Sequence, residues 1–286
     1  MPFSFIAPRT LPVNFLHECS AGWRQRAICA VALFLGGLSV PGWAQPGVAD
    51  TTFGPYGTGW GETIVRFATS IVALDGIVLP NDENLIGGVC TVTTAPPTVG
   101  THFCIQRMVA NGGIVGVPGS GGSIYFKDSG TTMSMVSNSA GGAMLRQPDG
   151  KILLTAPCRS TPAATTTAFC VARFNADFST DSTFGGGFAD NVARSSYYGL
   201  GSSFPNAIAL QPDGKIVVAG QCPQGATTTV MCAVRFSPTG VLETGFGDLR
   251  QFNPVTASGF DQAKSVVIAT DGKIVLGGNC KSGSYQ

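Results

Sequence analysis

Nine cysteines, two histidines and 16 carboxylates are the residues of this 286-residue chain that could serve as nucleophile, ligand, acid or base. Seven of the cysteines recur at matched places. Cys90, Cys158, Cys222 and Cys280 each close an apolar phrase, and Cys104, Cys170 and Cys232 follow the first three at 14, 12 and 10 residues. Such pairs suit either metal ligation or disulfide formation. Single cysteines at these separations lack the close-set ligands of a zinc knuckle, and past residue 44 only His102 remains to complete a site. Three disulfides are expected, Cys90–Cys104, Cys158–Cys170 and Cys222–Cys232, with Cys280 left unpaired.

Acid–base chemistry has little to work with. His102 stands in a Thr- and Pro-rich stretch that reads as a loop, and a Ser-His-Asp or Cys-His mechanism would have no other histidine past residue 44. No nucleophile elbow, metalloprotease helix motif or phosphate-binding loop is present, and Gly57-Thr-Gly59-Trp-Gly61 is too short for a dinucleotide loop. Glu62, Asp75, Asp128, Asp190 and Asp261 are scattered carboxylates, two of which could act together on a glycosidic bond. The reading is therefore of no catalytic, cofactor or metal site and no enzyme; a carbohydrate-active hydrolase or lyase is the alternative.

These residues sit in a repeated frame. Gln147-Pro-Asp-Gly-Lys-Ile152 precedes Cys158, Gln211-Pro-Asp-Gly-Lys-Ile216 precedes Cys222, Asp271-Gly-Lys-Ile274 precedes Cys280, and Pro80–Leu85 is a worn copy before Cys90. Successive first cysteines are 68, 64 and 58 residues apart. A second half repeats as well: Arg107, Arg173 and Arg235 follow the second cysteines, for which a salt bridge to a turn aspartate is expected. An Asp/Glu-x-x-Phe-Gly phrase occurs at Asp50, Asp181 and Glu243. From about residue 50 onward the chain resembles the bacterial delta-60 repeat family. That resemblance implies a β-propeller-type fold and a secreted protein, and brings no catalytic residues with it. A period of this size means stacked supersecondary units that cannot bury their apolar surface singly.

Unit three shows what each unit builds. Ser203–Leu210 reads as a strand, Gln211–Gly214 as a tight turn, Lys215–Cys222 and Val230–Phe236 as further strands, Ser237–Gly240 as a turn, and a fourth strand lies within 248–255. On the second strand Ile216, Val218, Gly220 and Cys222 share one face, with Val217 and Ala219 opposite; Cys232, Val234 and Phe236 alternate with Met231 and Ala233. Both faces are apolar, so both need covering. Radially stacked sheets meet that need, whereas a two-layer sandwich, the runner-up, would keep polar outer faces. The expected fold is all-β, a propeller-like array of about four antiparallel four-stranded blades in an incomplete ring, without a long helix past the leader. Units fall near 71–132, 133–196, 197–258 and a partial 259–286, with 45–70 ending a preceding unit.

Arg24 and Arg26 before the apolar run Ala27–Leu38, then Pro41-Gly-Trp-Ala44, describe a secretory signal peptide over residues 1–44; twelve apolar residues are too few to span a bilayer. The remaining 242 residues carry 14 basic and 15 acidic side chains, which offers no electrostatic footprint for nucleic acid or an anionic membrane. Without cofactor or intramembrane segment, the expected role is a secreted, periplasmic or cell-surface binding scaffold. Its partner would be a protein or polysaccharide, met by the variable loops Thr91–Phe103, Arg159–Phe169 and Pro223–Met231. Cys280 and the half-unit at the C-terminus lead to the further expectation of an arc cut from a larger ring, or of pairing between two copies.

Overall fold

A computed structural model describes residues 70–92, 100–115, 123–125, 134–135, 141–159, 164–188, 190–195, 201–224, 228–246, 250–252 and 261–280. All belong to the compact unit Ala49–Gln286. The leader (1–44) and the strand expected at Thr63–Phe67 lie outside them.

Four antiparallel sheets follow one another along the chain. The first holds β1 (Ser70–Val78), β2 (Asn84–Val92) and β3 (Gly100–Met108), with the short β4 (Ile114–Val115) and β5 (Ser123–Tyr125) both pairing with β3. The second holds β6 (Ser134–Met135), β7 (Ala143–Arg146), β8 (Ile152–Arg159), β9 (Ala168–Phe174) and β10 (Val192–Arg194); β6 and β7 share the edge of β8 away from β9. The third runs in plain order through β11 (Phe204–Leu210), β12 (Ile216–Pro223), β13 (Thr229–Phe236) and β14 (Arg250–Phe252). The fourth is the pair β15 (Gln262–Ile268) and β16 (Ile274–Asn279). Helical structure among the described residues is one 3-10 turn, Thr244–Phe246, and no helix there is long and apolar enough to cross a membrane. The blade pattern holds, with one edge strand split into two short pieces in each of the first two sheets.

The turns follow from the repeated phrase. Gln147 N–H donates to the Lys151 carbonyl and Gly150 N–H to the Gln147 carbonyl, and the bonds repeat at 211–215 and 269–273. Gly150, Gly214 and Gly272 take φ of 89°, 82° and 80°, a region that suits glycine. The aspartate one residue earlier accepts the lysine N–H in each: Asp149, Asp213 and Asp271. Unit one keeps this geometry with other residues. Asp82 holds φ of 61° where its sisters have glycine, and Asn81 accepts the Glu83 N–H. Aspartate and asparagine tolerate these roles better than most side chains.

The alternation of faces decides how sheets stack. Ile152, Leu154, Ala156 and Cys158 of β8 pack with Leu85, Val89, Phe103 and Ile105 of the first sheet. Leu153 of the same strand packs the other way, with Ile216, Val218 and Cys222 of β12. Val217 and Ala219 then meet Ala263 and Val266 of the fourth sheet. Among the described residues the cores link first to second, second to third and third to fourth sheet, and none closes the fourth onto the first. Hydrogen bonds follow the same series: Thr167 Oγ1 donates to the Ser203 carbonyl, Thr229 Oγ1 to the Asp261 carbonyl, and Asn206 Nδ2 to the Ala263 carbonyl. A bulge recurs in β1, β11 and β15, opposite Gly88, Gly220 and Gly278. A Cβ on Gly220 would stand 2.0 Å from the Phe204 oxygen, so the inner strands approach too closely there for a side chain.

All three expected disulfides form, with Cα atoms 5.9, 5.9 and 5.8 Å apart. The cysteines are diagonal neighbours: Cys90 sits opposite His102 and Cys104 opposite Gly88. Strand twist brings one diagonal of each pair within bonding reach. Pairing continues past the first disulfide through Thr91↔Thr101 and Val92↔Gly100, which places His102 in a strand and buries it, correcting the loop expected there. Cys280 is exposed and makes no disulfide. Replacing Cys222 and Cys232 together by alanine is expected to lower the unfolding free energy by about 3 kcal/mol. Urea unfolding followed by circular dichroism reads this, and an unchanged midpoint would contradict it.

Candidate functional site

Each repeat arginine is held at one end of its sheet by a carboxylate and a ring. Asp181 accepts from Arg173 Nε at 2.8 Å and from Lys151 Nζ at 2.8 Å, and the Arg173 guanidinium lies 4.4 Å from the centre of the Phe184 ring. In the next unit Glu243 accepts from Arg235 Nε at 2.7 Å with Lys215 Nζ 3.4 Å away, and Arg235 lies 4.6 Å from the Phe246 ring. The Asp/Glu-x-x-Phe phrase is thus a clamp whose first residue supplies charge and whose fourth supplies an aromatic face. This corrects the expected pairing of these arginines with a turn aspartate. The turn aspartates are taken up by backbone N–H groups, and the partner is set by register: Asp181 N–H bonds the Arg173 carbonyl and Glu243 N–H the Arg235 carbonyl.

Burial pushes the Asp181 carboxyl upward, but hydrogen bonds from Lys151 and Thr183 and the charge of Arg173 outweigh it and hold the group well below the usual carboxylate range. Such a group is ionised at neutral pH and is not a proton donor. The clamp also reaches the following sheet, since Arg173 Nη1 donates to the Pro238 carbonyl at 2.5 Å, and Gly185 and Gly186 N–H groups donate to the Thr239 carbonyl.

Unit one differs at each of these places. Val115 pairs with Arg107 where the other units have their acid, and no Phe-Gly follows in the sequence. The carboxylate comes instead from Glu83, which occupies the turn position of Lys151 and Lys215. Arg107 Nε and Nη2 donate to its two oxygens at 2.6 and 2.5 Å. The Arg107 hydrogen bonds lower the Glu83 carboxyl below its ordinary value. A lysine has been exchanged for an acid in a turn, and an acid for an apolar residue on a strand, so the arginine stays paired.

Where the Phe-Gly clamp is lacking, a cleft of about 560 Å³ opens between the ends of the first two sheets. It is lined by Leu79, Pro80, Asn81, Glu83 and Arg107 on one side and by Arg146, Gly150, Ala176, Asp177 and Phe178 on the other. Arg107 lies 5.5 Å from the Phe178 ring centre. Asp177 Oδ1 accepts from the Ser179 hydroxyl and N–H, which lowers its carboxyl, while Arg146 is exposed and without an ion pair among the described residues. Sequence reasoning did not single out this cleft. Its signal was available in the mismatches between units.

The scattered carboxylates do not converge. Asp75 accepts the Gly76 and Met144 N–H groups, Asp190 pairs with Arg194, and Asp261 is buried beside Thr229. Glu62 and Asp128 lie outside the described residues. Among the described residues no three His, Cys, Asp or Glu side chains are grouped to hold a metal ion. The variable loops are described only at their roots, beside the disulfides, at the opposite end of the sheets from the cleft.

Residues 147–184 and 211–246 match the family described as Domain of unknown function (DUF5122) beta-propeller; both stretches run from the turn through two strands to the clamp phenylalanine. No curated protein sequence matches the chain. Solved structures with a similar course include a thermostable family-43 glycoside hydrolase (11% identity, TM-score 0.40, 73% of this chain and 65% of that one). An endo-arabinase from Bacteroides thetaiotaomicron (11%, 0.38, 76% and 68%) and a xylan beta-1,4-xylosidase from Bacillus halodurans (12%, 0.38, 74% and 37%) are others. The chain therefore spans less than two thirds of the first of these, and at such identities and scores no reaction or substrate transfers. They do correct one expectation, that the chain is no enzyme. Family-43 glycoside hydrolase is what one solved structure of similar course is described as, and missing sequence motifs do not by themselves exclude catalysis.

Two outcomes are expected from the charge clusters. Glu83→Lys leaves Arg107 facing a like charge and lowers stability by about 1–3 kcal/mol; adding Val115→Asp restores the arrangement of the sister units and recovers most of the loss in a double-mutant cycle. Additive losses would refute the exchange. Because the folded-state value of Asp181 is depressed, its stabilisation is complete above the unfolded value of about 4 and is lost as pH falls below it. Asp181→Asn should therefore flatten the fall in stability on acidification below about pH 4, as measured by thermal unfolding across pH; an equally steep fall would count against the assignment.

Proposed function

We propose that the chain is an exported repeat protein of the delta-60 type that acts as a binding scaffold outside the cytoplasm. On this reading residues 1–44 are a leader removed before Gln45, and the units near 71–132, 133–196, 197–258 and 259–286 form the frame. The observation that carries it is the set of three disulfides, each fastening the root of a loop that differs in length and sequence from its counterparts. Pinned roots let loops vary without disturbing the strands, which is the arrangement of a frame that presents variable surface. Disulfides at matched places also fit an oxidising compartment.

The test is expression of the full chain in a bacterial host, with N-terminal sequencing of the exported product. The product is then incubated with insoluble polysaccharides and isolated cell envelopes. A mature terminus at Gln45 and retention on one of these materials are expected. A protein that keeps its leader and stays in the cytoplasm sinks the export reading, and retention no better than that of serum albumin sinks the scaffold. Release of reducing ends would assign a carbohydrate-active enzyme in its place.

A further inference from the structure

We propose that the cleft between the first and second sheets is a binding site for a neutral, hydroxyl-rich ring ligand, a short stretch of uncharged glycan. The inference rests on the scaffold reading and names a ligand class for it. In a chain built of repeats, the sister units show what folding alone requires, and departures stand out against them. Three departures line this cleft, and a fourth, Val115, pairs with its Arg107. Arg146 ends β7, paired with Ile152, where Val78, Leu210 and Ile268 end the matching strands of the other sheets. Phe178 takes φ of 67° in a turn whose counterparts hold Gly112 at 80° and Gly240 at 85°. Glu83 replaces a lysine, and Val115 replaces the acid that begins the clamp.

Two of these departures are not what the repeat itself requires, although the Phe178 side chain also packs against the first core. A bulky residue at positive φ is strained, and such strain persists mainly where the side chain is needed. An exposed arginine at an apolar strand end adds nothing to the core that leucine or isoleucine would not serve better. Together they equip a cavity of about 560 Å³, within the range of small-molecule sites.

The lining selects the ligand. Its charges balance, Arg107 and Arg146 against Glu83 and Asp177, so an anion would face two carboxylates and a cation two guanidinium groups. Arg107 and Glu83 are fixed on each other, whereas no ion pair joins Arg146 to Asp177. Arg146 is then a donor and Asp177 Oδ2 an acceptor on the same wall, with the Asn81 amide across from them offering both. Phe178, Leu79, Pro80 and Ala176 supply the apolar surface on which the C–H face of a pyranose ring lies. Alternating hydroxyls above an apolar face are the chemistry of a neutral sugar.

The test is calorimetric titration of the oxidised, leader-free protein with cellotriose, xylotriose and maltotriose, and with tri-galacturonate as the acidic comparison. At least one neutral trisaccharide is expected to bind, with the acidic one weaker. Arg146→Leu, which installs the sister-unit residue, and Phe178→Asn, which tolerates the positive φ, should each weaken binding about tenfold or more. Both should keep a cooperative thermal transition; a variant that loses it is set aside and the other decides. No binding of any neutral trisaccharide up to about 10 mM, tighter binding of the acidic one, or wild-type affinity in a folded variant overturns the site. If the variants bind as wild type while polymer retention persists, the cleft is refuted and the scaffold stands; loss of retention in the unaltered protein refutes the scaffold itself.

Discussion

A sheet that is apolar on both faces is insoluble alone, and that condition organises the rest of this molecule. β8 illustrates it: Ile152 and Leu154 point into one core and Leu153 into the next, all three without solvent contact. Each buried aliphatic side chain stabilises by roughly 1.5–3 kcal/mol relative to exposure, and the strand delivers this in two directions at once. No sheet can therefore be removed without stripping its neighbours. The sheet ends are left as the places where polar residues gather, and the turns, clamps, disulfides and variable loops all lie there.

The arginine clamps belong to this logic of ends. Arg173 and Asp181 are both buried, and a buried ion pair contributes little net stability because desolvation opposes attraction. What it supplies is position. Arg173 bonds the Pro238 carbonyl of the following sheet, so the pair fixes the angle at which one sheet meets the next. Between the first and second sheets that contact is replaced by Arg107 against the Phe178 ring, and the cleft is the space left over. A site has been made there by omission from a repeated joint, with no separate element added to build it.

Much of the frame was legible in the residues. Pro-Asp-Gly declares its own turn, the alternation of Ile216, Val217 and Val218 declares two buried faces, and evenly spaced cysteines declare their pairing. Those signals are local. The partner of Arg173 was not legible, because seven intervening residues turn before Asp181 comes back beside it, and the turn aspartates looked equally suitable. His102 was misplaced because Thr and Pro around it suggested a loop, while the disulfide extends pairing past Cys90. Gly88, Gly220 and Gly278 recur in the phrase, but their meaning depends on a bulge in a different strand. The cleft was least legible of all. Arg146 and Phe178 are ordinary residues until the register shows that they occupy places given to leucine, isoleucine and glycine elsewhere.

The short span of the disulfides bears on how the chain acquires its shape. Each joins cysteines 14, 12 or 10 residues apart, on two strands connected by a single loop. Closing so small a loop costs less chain entropy than joining cysteines of different units, and none of the three waits on a distant part of the sequence. A hairpin can therefore be locked as soon as its two strands are available, and mispairing between units, each some sixty residues away, must compete against a partner already close at hand. The disulfides turn a fold of stacked sheets, whose cores require neighbours, into a succession of preformed pieces. Assembly then reduces to the docking of each piece on its neighbours.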